Sequence, residues 1–281
     1  MQSFWVSFSL SDPEARLFVS RFSEKQNLRK VMCELFLRIN MADSVVDYAY
    51  FFARVGLLLR GELSPQANRI CNVVCGILNN FCRLTNYQRH SQYRWQYYVT
   101  LIDGVMNRKF GKRNSLCFHG PPSAGKTLLR SVIESVVPVH LVGRFGVQGA
   151  RSQFWFQSLV SKVLYCGEEI SLDPTCAESV KMLMEGNPSL TTDIKHGESV
   201  AVPPRPVIIT SNDPIWSMVG KECGPIRERC FEFAFVRWHG MGDTSYDRSH
   251  QAEAWRFLVS EAAKAVSLDS LRSDCDDSFH Y

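Results

Sequence analysis

Long hydrophobic runs are missing from this sequence of 281 residues. Its most apolar stretch, Tyr48–Leu59, is interrupted by Arg54 and falls well short of the roughly 20 apolar residues that a membrane-spanning helix needs. The N-terminus has no basic segment ahead of an apolar run, so we expect no secretory signal. With 45% hydrophobic and 21% charged residues, the composition excludes a disordered or fibrous chain. We therefore predict a globular protein with no membrane partner.

Cysteine pairs with the spacing of a metal site are also missing. The chain has 10 cysteines, none of which form a C-x-x-C pair. Cys71, Cys75 and Cys82 come nearest to a zinc spacing, but most cysteines lie in apolar runs, where the reduced residue behaves as a small core side chain. We expect reduced thiols, which are typical of a reducing compartment, rather than a zinc site or a disulfide scaffold.

Positive charge is concentrated in the first part of the chain. Residues 1–114 carry 16 Lys and Arg against 8 Asp and Glu, a net charge of +8, whereas residues 115–281 carry 16 against 20, a net charge of −4. A basic N-terminal third would suit a polyanionic partner such as a nucleic acid. Basic helices with solvated faces would give the same composition, so the charge alone leaves both interpretations open.

The hydrophobic pattern divides the chain into two main regions. Up to about Asn107, apolar residues recur at three- and four-residue spacing, which predicts a small helical bundle. Its predicted helical segments are Asn27–Ile39, Val45–Leu59, Asn68–Leu84 and Tyr93–Asn107. After Lys112, three short apolar runs alternate with longer helical stretches; they are Ser115–His119, Val163–Cys166 and Val207–Thr210.

This alternation predicts an α/β fold with a central parallel β-sheet flanked by helices. We predict the helical bundle over residues 1–90, the α/β domain over 91–265 and a flexible acidic tail over 266–281. In parallel sheets the chemistry gathers at the C-terminal ends of the strands, so the residues after each apolar run are the candidates for a functional site.

A phosphate-binding loop follows the first predicted strand. The sequence fits G-x-x-x-x-G-K-[ST] at every position, and the glycines allow backbone N–H groups to turn towards phosphate oxygens. The lysine supplies positive charge to the β- and γ-phosphates, and the threonine hydroxyl is a ligand for Mg²⁺. The motif consists of Gly120, Pro121, Pro122, Ser123, Ala124, Gly125, Lys126 and Thr127. Its position between a strand and a helix predicts a nucleoside triphosphate site.

Polar residues that could complete this site follow the other two runs. We assign Glu168 to Mg²⁺ and Glu169 to the attacking water, although adjacent acids could exchange these roles. Asn212 could hydrogen-bond both the γ-phosphate and that water, or it could form an Asx turn before Pro214. Further along, Arg227 and Arg229 could each stabilise the developing charge in a neighbouring subunit. From residue type alone, a surface salt bridge is the commoner role of such arginines.

The order of these motifs resembles the superfamily 3 helicases of small DNA viruses, and most closely the replication proteins of parvoviruses. The resemblance covers roughly residues 90–260. Its motifs are Lys109–Ser115, the phosphate loop, Glu168-Glu169, Glu178-Ser179-x-Lys181, Asp193-x-Lys195 and Pro206–Asn212. A second likeness, to the papillomavirus replicative helicase, lies in Phe154-Trp155, Gly186-Asn187-Pro188 and Lys195-His196.

The resemblance implies an AAA+ P-loop NTPase domain that hydrolyses ATP with Mg²⁺. Pro225-Ile-x-x-Arg229 resembles the segment that carries the family's arginine finger, which favours Arg229 over Arg227. A β-hairpin with Lys195 and His196 at its tip is expected to bind DNA, and residues 1–90 are expected to form an oligomerisation collar. The resemblance further implies a homo-oligomeric ring, expected to be a hexamer, that unwinds viral DNA from 3′ to 5′ in the host nucleus.

Parvovirus replication proteins also carry a nuclease domain with a paired-histidine metal site. Residues 1–114 have no such pair, since His90 is their only histidine, so we do not predict nicking by this chain. Two other classes remain open from the sequence. One is an ATPase that does not unwind DNA, such as a genome-packaging motor or a chaperone-like AAA+ module. The other is a binding-only relic whose chemistry is lost, which the intact motifs argue against.

Overall fold

The computed structural model describes the ranges 63–85, 95–137, 139–146, 154–160, 162–170, 172, 174–195, 197–217, 219–238, 245–267 and 271. Their helices are α1 (Pro65–Gly76), α2 (Trp95–Met106), α3 (Lys126–Glu134), α4 (Ala177–Glu185), α5 (Cys223–Arg227) and α6 (Arg248–Ala265). A π-helical turn, Ile77–Phe81, follows α1, and three short 3₁₀ segments are Val139–Leu141, Gln157–Leu159 and Gly220–Glu222. The predicted helices at 27–39 and 45–59, and nearly all of the predicted acidic tail, lie outside the described residues.

The strands of the described part form one main sheet and one hairpin. They are β1 (Cys82–Leu84), β2 (Ser115–His119), β3 (Val142–Gly146), β4 (Leu164–Glu168), β5 (Thr191–Asp193), β6 (Ser199–Ala201), β7 (Val207–Ser211) and β8 (Cys230–Phe235). The main sheet has the order β1-β8-β2-β7-β4-β3, while β5 and β6 form the antiparallel hairpin. Strands β8, β2, β7, β4 and β3 are mutually parallel, so the predicted parallel sheet is confirmed.

Helices cover both faces of this sheet. On one face, buried side chains of the central strands, such as Tyr165 and Ile209, pack in one cluster with Val180 and Leu183 of α4. On the other face, α2 contacts β2 and α3 contacts β7, and α6 packs across α1, α2 and α3. Sheets buried on both sides have nearly continuous apolar strands, which is why β2 and β7 were readable from the sequence.

The first strand corrects one prediction. The sequence pattern predicted a single helix over Asn68–Leu84, but the helical backbone ends at Phe81, and Cys82–Leu84 pairs antiparallel with β8. Cys82 and Leu84 are buried while Arg83 between them is exposed, which is the two-residue period of a strand. Pairing with β8 satisfies backbone groups that an uncovered sheet edge would leave open.

The described part of the N-terminal region is therefore attached to the sheet. Strand β1 is the outermost strand on one side of the sheet, and α1 packs against α6. At the start of α1, Glu253 of α6 accepts hydrogen bonds from the backbone N–H and the hydroxyl of Ser64, both at 2.7 Å. The domain limits that the sequence suggested remain a prediction. Within residues 63–85, however, Cys82–Leu84 forms a strand of this sheet and α1 packs against a helix that covers it.

Two further features of the described residues bear on function. No helix among them is long and apolar enough to cross a membrane. The eight cysteines in the described ranges are all free. Most of those cysteines are buried in the core.

Candidate active site

The sheet order brings three of the predicted segments together at the edge formed by the C-terminal ends of the parallel strands. Strands β2, β7 and β4 are neighbours, and the phosphate loop, Asn212 and Glu168-Glu169 stand at their C-terminal ends. In the register, His119 pairs with Ser211 and Glu168 with Thr210. The backbone N–H of Gly120, the first loop residue, donates to the carbonyl oxygen of Asn212 at 3.1 Å. The predicted residues of the nucleotide site therefore lie together.

The loop has the backbone conformation that its motif demands. Gly120 and Gly125 have φ angles of +143° and +88°, and Ser123 between them also has a positive φ of +58°. A Cβ atom at Gly120 would overlap the carbonyl oxygen of Phe235, so only glycine fits there. Pro121, Pro122 and Ser123 are exposed, whereas Ala124 and Gly125 are buried. The loop thus turns sharply between β2 and α3 and presents its outer bend to solvent.

The helix after the loop has an N-terminus without a side-chain cap. Gly125 is the N-cap residue of α3, and no described side chain hydrogen-bonds to this end of the helix. The first turn of a helix has N–H groups with no partner inside the helix, and they attract anions. A phosphate group would satisfy them. Thr127, the predicted Mg²⁺ ligand, is exposed at this turn.

Lys126 connects the loop to the neighbouring strand. Its Nζ donates to the carbonyl oxygens of Gly120 and Pro121, the latter at 2.8 Å, and lies 3.4 Å from Oδ1 of Asn212. Burial lowers the pKa of Lys126, and the negative charge of Glu169 opposes that change. The ammonium group is therefore held between the loop and Asn212, in a site that a further anion would stabilise.

The two glutamates, Glu168 and Glu169, have different neighbours. Glu168 accepts hydrogen bonds from Nη1 of Arg130 at 2.9 Å and from Nη1 of Arg144 at 2.7 Å. Glu169 has a positive φ of +49°, and its charge acts on Lys126. The arginines would compete with a metal ion for Glu168, because each of them already neutralises its carboxylate. The predicted division of roles between the two acids remains a prediction.

An ion-pair cluster behind the loop was not anticipated from the sequence. Glu134, only 4% exposed, accepts from Nη2 of Arg144 at 2.7 Å, and Arg130 and Arg248 each have a nitrogen 3.8 Å from it. Arg248 also donates to the backbone oxygens of Glu134 and Val137, at the C-terminal end of α3. We call Arg130, Glu134, Arg144, Glu168 and Arg248 the Glu134 ion cluster. Its one sequence signal is the i, i+4 spacing of Arg130 and Glu134.

Arg229 lies at the opposite edge, which is formed by the N-terminal ends of the parallel strands. It directly precedes β8, whereas the phosphate loop directly follows β2, and these two strands run parallel. Its Nε donates to Oε2 of Glu185 at 2.7 Å, and its side chain is 16% exposed. A strand of five residues is about 16 Å long, so Arg229 does not reach the phosphate loop of its own chain.

Arg227 has a separate set of partners. It forms an ion pair with Glu232 at 2.9 Å, and its guanidinium lies 5.5 Å from the ring centre of Trp216. Glu232 also accepts from His119 at 3.0 Å. Burial alone would raise the pKa of Glu232, but these hydrogen bonds and the charge of Arg227 lower it. This cluster beside the loop was not predicted either.

The predicted DNA-binding hairpin is present in β5 and β6. Lys195 is exposed in the turn between these strands, and the N–H of Gly197 donates to the carbonyl oxygen of Ile194 at 2.9 Å. His196, the second predicted residue of the tip, lies outside the described residues. The structure therefore places Lys195 at a solvent-facing turn.

The donors at the nucleotide site suit Mg²⁺ held together with a bound phosphate. Among the described residues, no group of three or more His, Cys, Asp or Glu side chains could hold a metal ion by itself. Mg²⁺ is usually bound by one or two protein oxygens, with substrate phosphates and water completing its shell. Thr127 and a carboxylate of the Glu168-Glu169 pair are oxygen donors of this kind.

Comparisons with known proteins agree with these observations. The model of the family "Parvovirus non-structural protein NS1" matches residues 75–237, more than half of the chain. Initiator protein NS1 of bovine parvovirus 1 is 29% identical over 162 residues, which cover 55% of this chain and 18% of that protein. Initiator protein NS1 of human parvovirus B19, isolate AU, is 39% identical over 114 residues, 41% of this chain and 16% of that protein.

Protein Rep52 of adeno-associated virus 2 is 29% identical over 148 residues, covering 50% of this chain and 36% of that protein. The chain therefore spans less than a fifth of the two initiator proteins and about a third of Rep52. Among solved structures, a JCV helicase with a bound small molecule superposes with a TM-score of 0.52 at 10% identity, over 94% of this chain and 82% of that chain. This last likeness concerns the fold, and the sequence matches confirm the resemblance that the motifs predicted.

Proposed function

The chain belongs to the parvovirus non-structural protein NS1 family, and we propose that it is an ATP-dependent DNA helicase that acts in viral genome replication. The observation that carries this proposal is the placement of two sets of residues. The phosphate loop, Asn212 and the paired glutamates share one edge of the sheet, and Arg229 stands at the opposite edge.

At the first edge, each residue has a role in ATP hydrolysis. Lys126 and the N-terminal N–H groups of α3 bind the β- and γ-phosphates, which is supported by the uncapped helix end and the buried ammonium group. Thr127 and Glu168 would hold Mg²⁺, which would supply positive charge to the phosphate oxygens. Glu169 orients and deprotonates the attacking water, and Asn212 positions it beside Lys126.

The opposite placement of Arg229 supports assembly of identical subunits. An arginine that cannot reach its own phosphate loop can act only on a neighbour's nucleotide. Such a contact is head to tail, and head-to-tail contacts close into a ring when the rotation allows. We propose a homo-oligomeric ring, a hexamer by family resemblance, with residues 1–90 contributing to assembly. To act on the neighbouring site, Arg229 must break its ion pair with Glu185 or bind Glu185 and the phosphate together.

Within this ring, the β5–β6 hairpin contacts DNA. Lys195 is exposed at its turn and can neutralise a phosphate of a single strand. His196 is assigned beside it from the sequence alone. Hydrolysis would move the hairpins and pull one strand through the ring, from 3′ to 5′, with the host nucleus as the setting; polarity and location both come from the family resemblance.

The proposal is tested by measuring ATP hydrolysis and duplex unwinding with the same preparation. We expect ATP-dependent unwinding of a duplex with a 3′ overhang and little unwinding with a 5′ overhang. Lys126→Ala should reduce both hydrolysis and unwinding by about 100-fold or more, since it removes the charge aimed at the transferred phosphate. Lys264→Ala is a matched control, because Lys264 is 67% exposed and pairs with Glu261 one helical turn away.

Three outcomes of this experiment have different consequences. Full hydrolysis by Lys126→Ala would refute the assignment of the phosphate loop. Hydrolysis by the parent chain without unwinding of either substrate would favour an ATPase of the packaging-motor type. Preferred unwinding from a 5′ overhang would keep the helicase and reverse its polarity.

A further inference from the structure

Two arginines lie close together where the hairpin returns to the sheet. Arg108 follows the C-terminal end of α2, and Arg205 lies between β6 and β7; both side chains are half-buried. Burial lowers the pKa of Arg108, and the positive charge of Arg205 lowers it further. Arg108 binds the carbonyl oxygen of Pro204, the residue before Arg205, and like charges in neighbouring, partly buried positions repel each other. An anion bound between them would remove that repulsion.

The arginine pair, Arg108 and Arg205, is anchored by neutral oxygen atoms. Arg108 donates from Nε to Oδ1 of Asn114 and from Nη1 to the carbonyl oxygen of Pro204, both at 3.1 Å. Arg205 donates from Nε to the carbonyl oxygen of Lys162 at 3.3 Å. Neither guanidinium forms an ion pair with a carboxylate among the residues that the structure describes. The anchors therefore fix the two groups in place without neutralising them.

Donor groups of both arginines remain available. For Nη1 and Nη2 of Arg205, no acceptor is present in the described ranges. Nη2 of Arg108 lies beside Gly186, where a Cβ atom would come within 3.0 Å of it. The preceding residue, Glu185, is engaged by Arg229 at 2.7 Å. The carboxylate of Glu185 is thus committed to another arginine, and the backbone of Gly186 packs against Nη2 of Arg108 without neutralising it.

The arginine pair is continuous with the hairpin. The N–H of Val202 donates to the carbonyl oxygen of Leu190 at 2.8 Å, which closes the base of the hairpin. Arg205 follows only a few residues later, whereas Lys195 is exposed at the far end. A strand of nucleic acid lying along the hairpin would therefore meet positive charge at the tip and again at the base.

We propose that Arg108 and Arg205 form a phosphate-binding site for the backbone of single-stranded DNA, at the base of the hairpin that carries Lys195. Guanidinium groups bind phosphate oxygens through two parallel N–H donors, and such contacts position a strand without reading its sequence. The inference rests on the proposed function, because it assumes that DNA is the polymer the chain binds. It adds a second contact point, so that the strand is held over the length of the hairpin.

The test measures the salt dependence of binding. The 281-residue chain, without nucleotide, is titrated with fluorescent oligo(dT) at several salt concentrations, and the slope of log K against log[salt] is compared between variants. Each lost phosphate contact on a single strand reduces this slope by about 0.7. We expect that reduction for Arg205→Ala, a smaller one for Arg205→Lys, and none for Arg69→Ala, which removes an exposed arginine of α1.

Two further measurements separate DNA binding from other roles. Thermal unfolding of Arg205→Ala should stay close to that of the parent, because the side chain of Arg205 donates a single hydrogen bond within the described residues. The KM for ATP and the rate of hydrolysis without DNA should also be unchanged. Arg108→Ala is less suitable, since its loss would free Asn114 and the Pro204 carbonyl as well.

An unchanged salt slope in Arg205→Ala would overturn the inference. So would an altered KM for ATP with unaltered DNA affinity, which would assign the pair to a neighbour's nucleotide instead. Failure of the proposed function looks different, because it would appear as a parent chain that hydrolyses no ATP or unwinds no duplex. A parent chain that binds no oligo(dT) would overturn this inference whatever its ATPase activity.

Discussion

The two ends of the parallel strands in this chain differ in their charge chemistry. At the C-terminal ends, Lys126 lies among carbonyl oxygens and Asn212, and two glutamates stand nearby. At the N-terminal ends, Arg108 and Arg205 are bound to neutral oxygens, and Arg229 is bound to a glutamate. We call these the nucleotide edge and the arginine edge. The first combines acids with a buried lysine and with arginines that are paired with those acids. At the second, Arg108 and Arg205 form no ion pair among the residues that the structure describes.

This difference explains why a single chain is an incomplete catalyst in the proposed mechanism. The nucleotide edge has a lysine and metal ligands but no arginine aimed at the transferred phosphate, since Arg130 and Arg144 are occupied by Glu168. The arginine edge has what is missing and lies a full strand length away. In a head-to-tail ring, the arginine edge of one subunit meets the nucleotide edge of the next.

The largest expected effect comes from breaking this complementarity at Arg229. Arg229→Ala should reduce ATP hydrolysis by about 10³-fold, because an arginine supplied in trans contributes at least that much to phosphoryl transfer. Binding of ATP should change little. Hydrolysis by mixtures of Arg229→Ala and Lys126→Ala subunits is the decisive measurement, since a mixed interface restores one complete site.

Arg227→Ala provides the control for that experiment. Arg227 is bound by Glu232 and lies against Trp216, so its removal should affect hydrolysis far less than the loss of Arg229. If no mixture of the two inactive variants regains activity, Arg229 does not act across subunits. If Arg227→Ala shows the larger loss, the two arginines exchange roles.

A second prediction concerns the stability of the nucleotide edge. Glu134→Gln removes the buried carboxylate at the centre of the Glu134 ion cluster and leaves Arg144 and Arg248 without it. The side chains of Arg144 and Arg248 are 45% and 34% exposed, so the change should cost about 1.5–3 kcal/mol, the range for a hydrogen bond to a charged group. Urea unfolding would measure that loss. Glu261→Gln is the matched control: Glu261 is 36% exposed and pairs only with Lys264 among the described residues, so it should cost less than about 1 kcal/mol. Equal costs for the two variants would show that the cluster adds nothing to stability.

The nucleotide edge was largely predictable from the sequence, for a physical reason. The eight loop residues are contiguous, and their function requires a strand before them and a helix after them. Glu168, Glu169 and Asn212 follow apolar runs, and parallel strands must bring those runs to one edge. Local sequence was therefore sufficient to predict that these residues lie together, and their roles remain a prediction.

The arginine edge and the Glu134 ion cluster were not predictable in the same way. Arg108 meets Arg205, and Arg144 meets Glu134, only after distant segments pack together, and no local pattern specifies those distances. The strand at Cys82–Leu84 was missed because its three residues continue a helical pattern, and pairing with β8 overrides that local preference. The ion pair of Arg229 with Glu185 of its own chain was not predicted, because the order of the motifs suggested only a role in a neighbouring subunit.

A third prediction separates the two glutamates of the nucleotide edge. Glu169→Gln should lower kcat for ATP hydrolysis by about 100-fold with little change in KM, because it removes the base and keeps the shape. Glu168→Gln should instead raise the Mg²⁺ concentration needed for half-maximal activity, since Glu168 is the assigned metal ligand. A Mg²⁺ titration of both variants provides the comparison. The reverse pattern would exchange their roles.

The smallest expected effect concerns pH and the arginine edge. Burial alone would raise the pKa of Glu185, but hydrogen bonds from Asn187 and Arg229 and the charge of Arg229 lower it overall. A carboxylate with a lowered pKa in the folded state stabilises the protein above its unfolded pKa of about 4.3, and this stabilisation is lost as the pH falls through the folded value. The loss should therefore begin below about pH 5 and be on the order of 1 kcal/mol.

Comparison with Glu185→Gln isolates this contribution. The variant should be less stable than the parent at pH 7, and the gap in free energy of unfolding should narrow as the pH is lowered to about 3, because the parent carboxylate becomes protonated. Urea unfolding of both proteins at several pH values measures the gap. A gap that stays constant with pH would mean that the ionised pair with Arg229 contributes nothing to folding. Breaking the ion pair between Arg229 and Glu185 would then cost no free energy. Arg229 could engage a neighbouring subunit without first losing a stabilising contact.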